Sequence, residues 1–194
     1  MQPNSDNSFK QVRSFMSLGI VVVAVLLALF GVQSASAASS ASTGGAAFVA
    51  PPPPLTPGQM AKISEDGRTA IAPADAPTQV QQAIFAINTI VNKPYIYGGG
   101  HKSFDARGYD CSGTVSFALH GGGLLDSPLD SSSFMRWGLR GPGQWITIYT
   151  NPGHAWATIA GLRLDTSGPG ERGPRWRAAA RSTDGYRVRH VEGF

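Results

Sequence analysis

The sequence predicts an α+β domain in which helices come first and a small antiparallel β-sheet follows. Apolar residues recur at helical spacing over 78–92, and the same period returns from Cys111 to the glycine triplet at 121–123. Between 144 and 167 stand three short runs rich in β-branched residues, with only a few residues between them. Such spacing suits antiparallel hairpins.

The domain does not begin at residue 1. Lys10 and Arg13 precede an apolar run from Phe15 to Val32 and then Ala35-Ser36-Ala37. This charged, apolar, small-residue order predicts a secretory leader over 1–37, cut after Ala37. The run is close to the ~20 residues that span a bilayer, so an uncleaved anchor is the alternative. Residues 38–77, with Pro51 to Pro54 inside them, are dominated by Ala, Ser, Pro, Gly and Thr without an apolar period. They read as a disordered linker that cannot bury enough surface to offset its ordering entropy. A single domain is left at 78–194.

In that domain Val80, Ile84, Ile87 and Val91 define the first helix, with Thr78 as its expected cap and Lys93-Pro94 as its end. The glycine-rich stretch that follows, 95–110, is expected to be irregular. It lacks the Gly-Lys-Ser/Thr ending of a phosphate-cradling loop. Cys111, Val115, Ala118 and Leu119 share a face of the second helix, and Asp110 stands at its N-cap position. Strands are expected at 144–150, 154–160 and 162–167, with a last one bearing His190 near the C-terminus. The segment 121–143 is long and rich in turn residues, and reads as a cleft wall or a surface excursion.

A two-residue turn at Ala160-Gly161 would set the register of the last two of those three strands. Position 156 then faces 165, and 154 faces 167. Period two puts His154, Trp156, Thr158, Arg163, Asp165 and Ser167 on one face, with Ala155, Ala157, Ile159, Leu162 and Leu164 on the other. His154 and Asp165 become diagonal neighbours, close enough for the carboxylate to orient the imidazole.

Cys111 is the only cysteine. In the first turn of a helix, the free N–H groups and the helix dipole favour its thiolate. Thiol, histidine and orienting polar group make the arrangement of thiol acyl transfer. The alternative is a buried small hydrophobe beside a surface histidine. A zinc site lacks the paired short spacings that structural sites use.

Three stretches, PYIYGGG, GYDCSG before an apolar helix and GHAWATIAGLRLDTSG, resemble the NlpC family of papain-like cysteine peptidases, also called NlpC/p-sixty. The resemblance covers nearly all of 84–167. It implies a papain-like fold in which N-terminal helices, one carrying the nucleophilic cysteine, pack on the sheet. By position, Cys111 matches the family nucleophile, His154 its base and Asp165 the third polar residue, where relatives often have histidine. Tyr95, Asp110 and Ser112 match positions that line the pocket, bind substrate and support the oxyanion. His101, His120 and His190 are read as structural.

The activity so implied is cysteine endopeptidase hydrolysis of an amide in peptidoglycan stem peptides, without metal or cofactor, in a secreted or envelope protein of a bacterium. An inactive wall-binding module and an acyl or peptidyl transferase on the same scaffold are the alternatives. The 78–194 segment carries 12 Lys and Arg against 8 Asp and Glu, with six arginines between 172 and 189. That balance favours anionic partners such as wall polymers, and in an exported protein it argues against nucleic acid. Membrane contact is expected only if the leader is retained.

Overall fold

Val80, Ala83, Ile84, Ile87 and Ile90 form one buried stripe at three- and four-residue spacing, and they belong to helix α1, Thr78–Ile90. The computed structural model that contains it describes residues 51–169, 172–178 and 180–194. The leader expected over 1–37 and the linker as far as 50 lie outside the described residues. Pro77, not Thr78, occupies the N-cap of α1, and no side chain caps this end. Proline needs no N–H acceptor there, and its extended backbone leads directly into the helix.

Helix α2, Cys111–Gly121, starts at the cysteine as expected, with the Asp110 carboxylate accepting the Gly113 N–H. At its other end the glycine triplet has a second role besides stopping the helix. A Cβ on Gly121 would lie 2.2 Å from the Ala86 Cβ, and one on Gly122 would lie 2.6 Å from the Gln79 carbonyl oxygen. The missing side chains therefore allow α1 to close against α2. A single turn, α3 (Ser131–Phe134), interrupts the 121–143 segment and is capped by Asp130.

Among the described residues two strands precede the α-helices, β1 (Lys62–Ile63) and β2 (Ala70–Ile71), paired as an antiparallel ribbon. Asn88 of α1 fastens this ribbon, accepting the Ala70 N–H at 2.9 Å and donating to its carbonyl at 2.8 Å. Ala61, Ala70 and Ala76 are buried in the common core. Residues upstream of 78, read from the sequence as linker, thus pack on the domain. Small apolar side chains pinned by backbone bonds leave no periodic signal.

The remaining strands are β3 (Leu139–Arg140), β4 (Ile146–Asn151), β5 (His154–Ile159), β6 (Leu162–Leu164), β7 (Trp176–Arg177) and β8 (Arg187–His190). They form one antiparallel sheet in the order β3-β8-β4-β5-β6-β7. The expected papain-like α+β architecture, N-terminal helices on a small sheet, is therefore overturned. Among the described residues the sheets hold eight strands against three α-helices, and a β-ribbon precedes those helices. The excess strands are short for a physical reason: β3 and β7 have two residues each, are recruited by the open edges of β8 and β6, and are too short to show alternation.

At the centre of the sheet the expected register holds. Ala160 and Gly161 both adopt left-handed backbone, with φ of 45° and 75°, the signature of a two-residue type I′ turn. Ile159 pairs with Leu162 and Ala157 with Leu164 across it. Ala155, Ala157, Ile159, Leu162 and Leu164 all lie in the core, under Val115, Ala118 and Leu119 of α2. No helix of the described residues is long and apolar enough to cross a membrane.

Candidate active site

Two local constructions meet at Cys111, one built on α2 and one on the sheet. The helix half begins with the 94–110 loop, which is laced to the residues before the cysteine. Tyr109 donates its N–H to the Pro94 carbonyl at 3.1 Å, and Asp110 donates to Gly99 at 3.1 Å. Close approach is obligatory here, since a Cβ on Gly113 would stand 2.0 Å from the Gly99 oxygen. Asp110 is buried and shared: one oxygen accepts the Gly113 N–H at 2.8 Å, and the other accepts the Gly98 N–H at 3.0 Å.

His101 Nε2 reaches both Asp110, at 2.9 Å, and Ser112 Oγ, at 3.0 Å. Ser112 Oγ also donates to Asp110 at 3.2 Å. Asp110 and Ser112 are 3 % and 2 % exposed. Their side chains hold the helix start, and neither is among the residues that line the cavity beside His154. His101, read from the sequence as merely structural, belongs to this network.

In the sheet half, the β5–β6 hairpin brings His154 to Asp165, Nε2 to Oδ1 at 3.0 Å. Asp165 is fully buried and over-provided with donors. Ser167 gives its N–H and its hydroxyl, each at 2.9 Å, and Arg181 Nη1 reaches Oδ2 at 2.7 Å. Burial raises the carboxyl's pKa, but the bonds from His154, Ser167 and Arg181 outweigh it and hold the group at about 2. A carboxylate only accepts, so His154 Nε2 carries a proton and Nδ1 is left for the thiol. Tyr186 completes the wall, accepting from Arg181 at 2.9 Å and standing edge-on to His154 and Trp156.

Where the halves meet, Cys111 is 8 % exposed and hydrogen-bonded to His154 and to the Ala155 N–H. Burial pushes the thiol up, yet the bonds from His154 and Ala155 and the imidazole's charge outweigh it, so the net direction is down. Burial pulls His154 the other way, and Asp165 and Cys111 together lift it to about 9. Both shifts favour the thiolate–imidazolium form over the neutral pair.

Tyr95, His154, Thr166, Ser167, Gly168 and Arg172 line a cavity of about 320 Å³ beside the imidazole. Burial and the nearby Cys111 and Asp110 raise the Tyr95 hydroxyl above its ordinary range, so it enters as a neutral donor. The Cys111 and Ser112 N–H groups find no acceptor among the described residues. Unpaired N–H groups at a helix start are suited to receive negative charge.

Cys111, His154 and Asp165 are thus brought together, and Tyr95 lies at the cavity mouth. His190 Nδ1 donates to the Gly141 carbonyl, and His120 stacks on Phe104 and donates through Nδ1 to the Leu125 carbonyl, so neither joins the site. Sequence reading gives Arg181, Tyr186 and Arg172 no role at the site: the two arginines count there only toward a basic surface, and Tyr186 only toward the last strand. Ser167 was placed on the right face but given no role. Among the described residues no three His, Cys, Asp or Glu side chains are grouped to hold a metal ion. Comparison with models of known protein families gives no match to this chain, and comparison with curated proteins gives none either.

Proposed function

We propose that the protein is a cysteine endopeptidase of the bacterial cell envelope, related to the NlpC/p-sixty enzymes, that hydrolyses an amide bond in peptidoglycan stem peptides. The observation that carries this reading is the Cys111–His154 pair, poised to ionise at a helix start with a buried carboxylate behind the imidazole. A merely structural cysteine needs no such arrangement. Burial alone would keep it a thiol, and here two hydrogen bonds and a charge reverse that effect.

The steps follow from the geometry. Cys111 Sγ attacks the carbonyl carbon, and the electron pair moves to oxygen, where the Cys111 and Ser112 N–H groups and the Tyr95 hydroxyl receive it. His154 Nδ1–H then protonates the departing amine as the C–N bond breaks. The neutral imidazole next takes a proton from water, whose oxygen attacks the thioester, and Cys111 leaves as thiolate. Asp165 stays ionised throughout and keeps the Nε2 proton in place. Arg172, in the cavity wall, offers a cation to the carboxylates of a stem peptide. The motifs favour the bond between D-γ-glutamyl and a diamino acid. Export rests on the leader-like 1–37 segment.

The test incubates the full chain with purified peptidoglycan and identifies products by mass spectrometry. New amine and carboxyl ends are expected from the wild type and none from Cys111→Ala. Equal cleavage by that variant would remove the nucleophile assignment, and absence of cleavage by the wild type would favour a wall-binding module.

A further inference from the structure

The face of the sheet remote from His154 carries a cluster of cations with no apparent use. Arg140 of β3 stands directly opposite Arg189 of β8, and Arg187 lies two residues away on the same face of that strand. Arg189 pairs with Ile148 of β4, whereas Tyr149 pairs with Trp156 and Asn151 with His154. By alternation the arginines therefore lie on the opposite side from the imidazole. Directly opposed like charges destabilise a strand pair.

Nothing offsets that repulsion. None of the three arginines has a carboxylate partner among the described residues. Arg189 is 8 % exposed, it donates through Nη2 to the Met135 carbonyl, and its Nε is buried without an acceptor. Arg140, Gly141, Arg187, Val188 and Arg189 enclose a cavity of about 450 Å³. Burial and the two neighbouring cations also weaken the hold of Arg189 on its proton.

We propose that this cavity is a binding site for a phosphate-class oxyanion, separate from the active site. One carboxylate has two oxygens and a single charge, which one guanidinium satisfies. Three guanidinium groups around one cavity match a group with more oxygens and up to two charges, as in a phosphoester. A phosphodiester wall polymer, a phospholipid headgroup and free phosphate share that chemistry.

The test uses the full chain with three probes at low and high salt: inorganic phosphate, a poly(glycerol phosphate) chain and phosphatidylglycerol vesicles. Arg140→Gln and Arg187→Gln remove exposed cations without emptying the core, and Lys62→Gln with Lys102→Gln is the control for net charge. At low salt each arginine variant should weaken binding about 10-fold, as expected for losing a charge-assisted pair, while the control stays within about 2-fold. Polymer binding without vesicle binding identifies the wall as the source, and the reverse identifies the membrane. Melting supplies a second readout: phosphate should raise the wild-type Tm more than that of Arg140→Gln, which should itself melt higher than the wild type without anion. Equal loss in the control, or no binding of any probe by the wild type at low salt, would overturn the proposal. Cys111→Ala should bind as the wild type does, so this result is independent of the peptidase test.

Discussion

Asp165→Asn keeps the shape of the carboxylate and removes its charge, and the structure dictates what should follow. Arg181 donates to Oδ2, whereas His154 and Ser167 donate to Oδ1. An asparagine has one acceptor oxygen and one NH₂ group, so either orientation sets a donor against a donor. With its oxygen toward Arg181, the amide faces the imidazole and holds Nε2 as an acceptor. The single proton of the neutral ring then moves to Nδ1, the nitrogen that must receive the thiol's proton.

The charge contribution can be sized. Raising His154 from 6.5 to about 9 corresponds to on the order of 3 kcal/mol in favour of the imidazolium. Asp165 and Cys111 share that effect against the opposing burial, so removing the Asp165 charge should lower the ratio of ion pair to neutral pair by on the order of 10-fold. Solvent screens little of it, because the side chains are 18 % and 0 % exposed. The assay is alkylation of Cys111 by iodoacetamide against pH, which reads the thiolate without assuming any substrate. Wild-type rates should stay high well below the ordinary thiol range and remain nearly level toward pH 8. In Asp165→Asn the rate at pH 6 should fall, by up to on the order of 10-fold, and climb with pH as a plain thiol does. Superimposable profiles would show that Asp165 does not govern the pair, and the charge argument would fail.

Three further outcomes are expected. Asp165 sits at about 2 in the fold against an ordinary 3.8, so its contribution is present above 3.8 and lost as pH falls through 2. Urea titrations should show the stability difference between wild type and Asp165→Asn shrinking by on the order of 1–2 kcal/mol from pH 5.5 to 2.5; a constant difference would refute the depressed carboxyl. Gly113→Ala would press a methyl 2.0 Å from the Gly99 carbonyl oxygen, and should lower stability by ~3 kcal/mol or more in denaturant melts while slowing alkylation. Asp165→Ala should reduce peptide turnover far more than Thr166→Ala or His190→Ala, and the reverse order would contradict the role given to the hairpin.

Legibility in the sequence tracked the range of the forces involved. Helix α1 has buried residues at helical spacing, α2 has an acidic cap and a glycine stop, and the β5–β6 hairpin has a two-residue turn whose length sets every pairing. Each is determined within about a dozen residues. The sheet's true size was not readable, because β3 and β7 exist only through pairing with edges that are distant in the chain. The same holds for Ala61, Ala70 and Ala76, whose burial depends on Asn88 fastening the ribbon.

The site divides along the same line. Each half is local: Asp110 caps the helix that starts at Cys111, and the turn at Ala160-Gly161 carries His154 to Asp165. What joins them is the packing of α2 on β5, which sets the thiol against the imidazole, and no spacing encodes that distance. Groups that tune the site come from still further away. Arg181 is 16 residues beyond Asp165 in a stretch without period, yet it holds the second carboxylate oxygen. His101 reaches Asp110 across a loop whose path depends on glycines. The sequence therefore locates the thiol, the imidazole and the carboxylate through their local supports, while the groups that adjust their charge become visible only when the chain is closed. Removing Arg181 should accordingly shift the pH profile of Cys111 alkylation in the same sense as Asp165→Asn but by less, since Ser167 and His154 would still hold Oδ1.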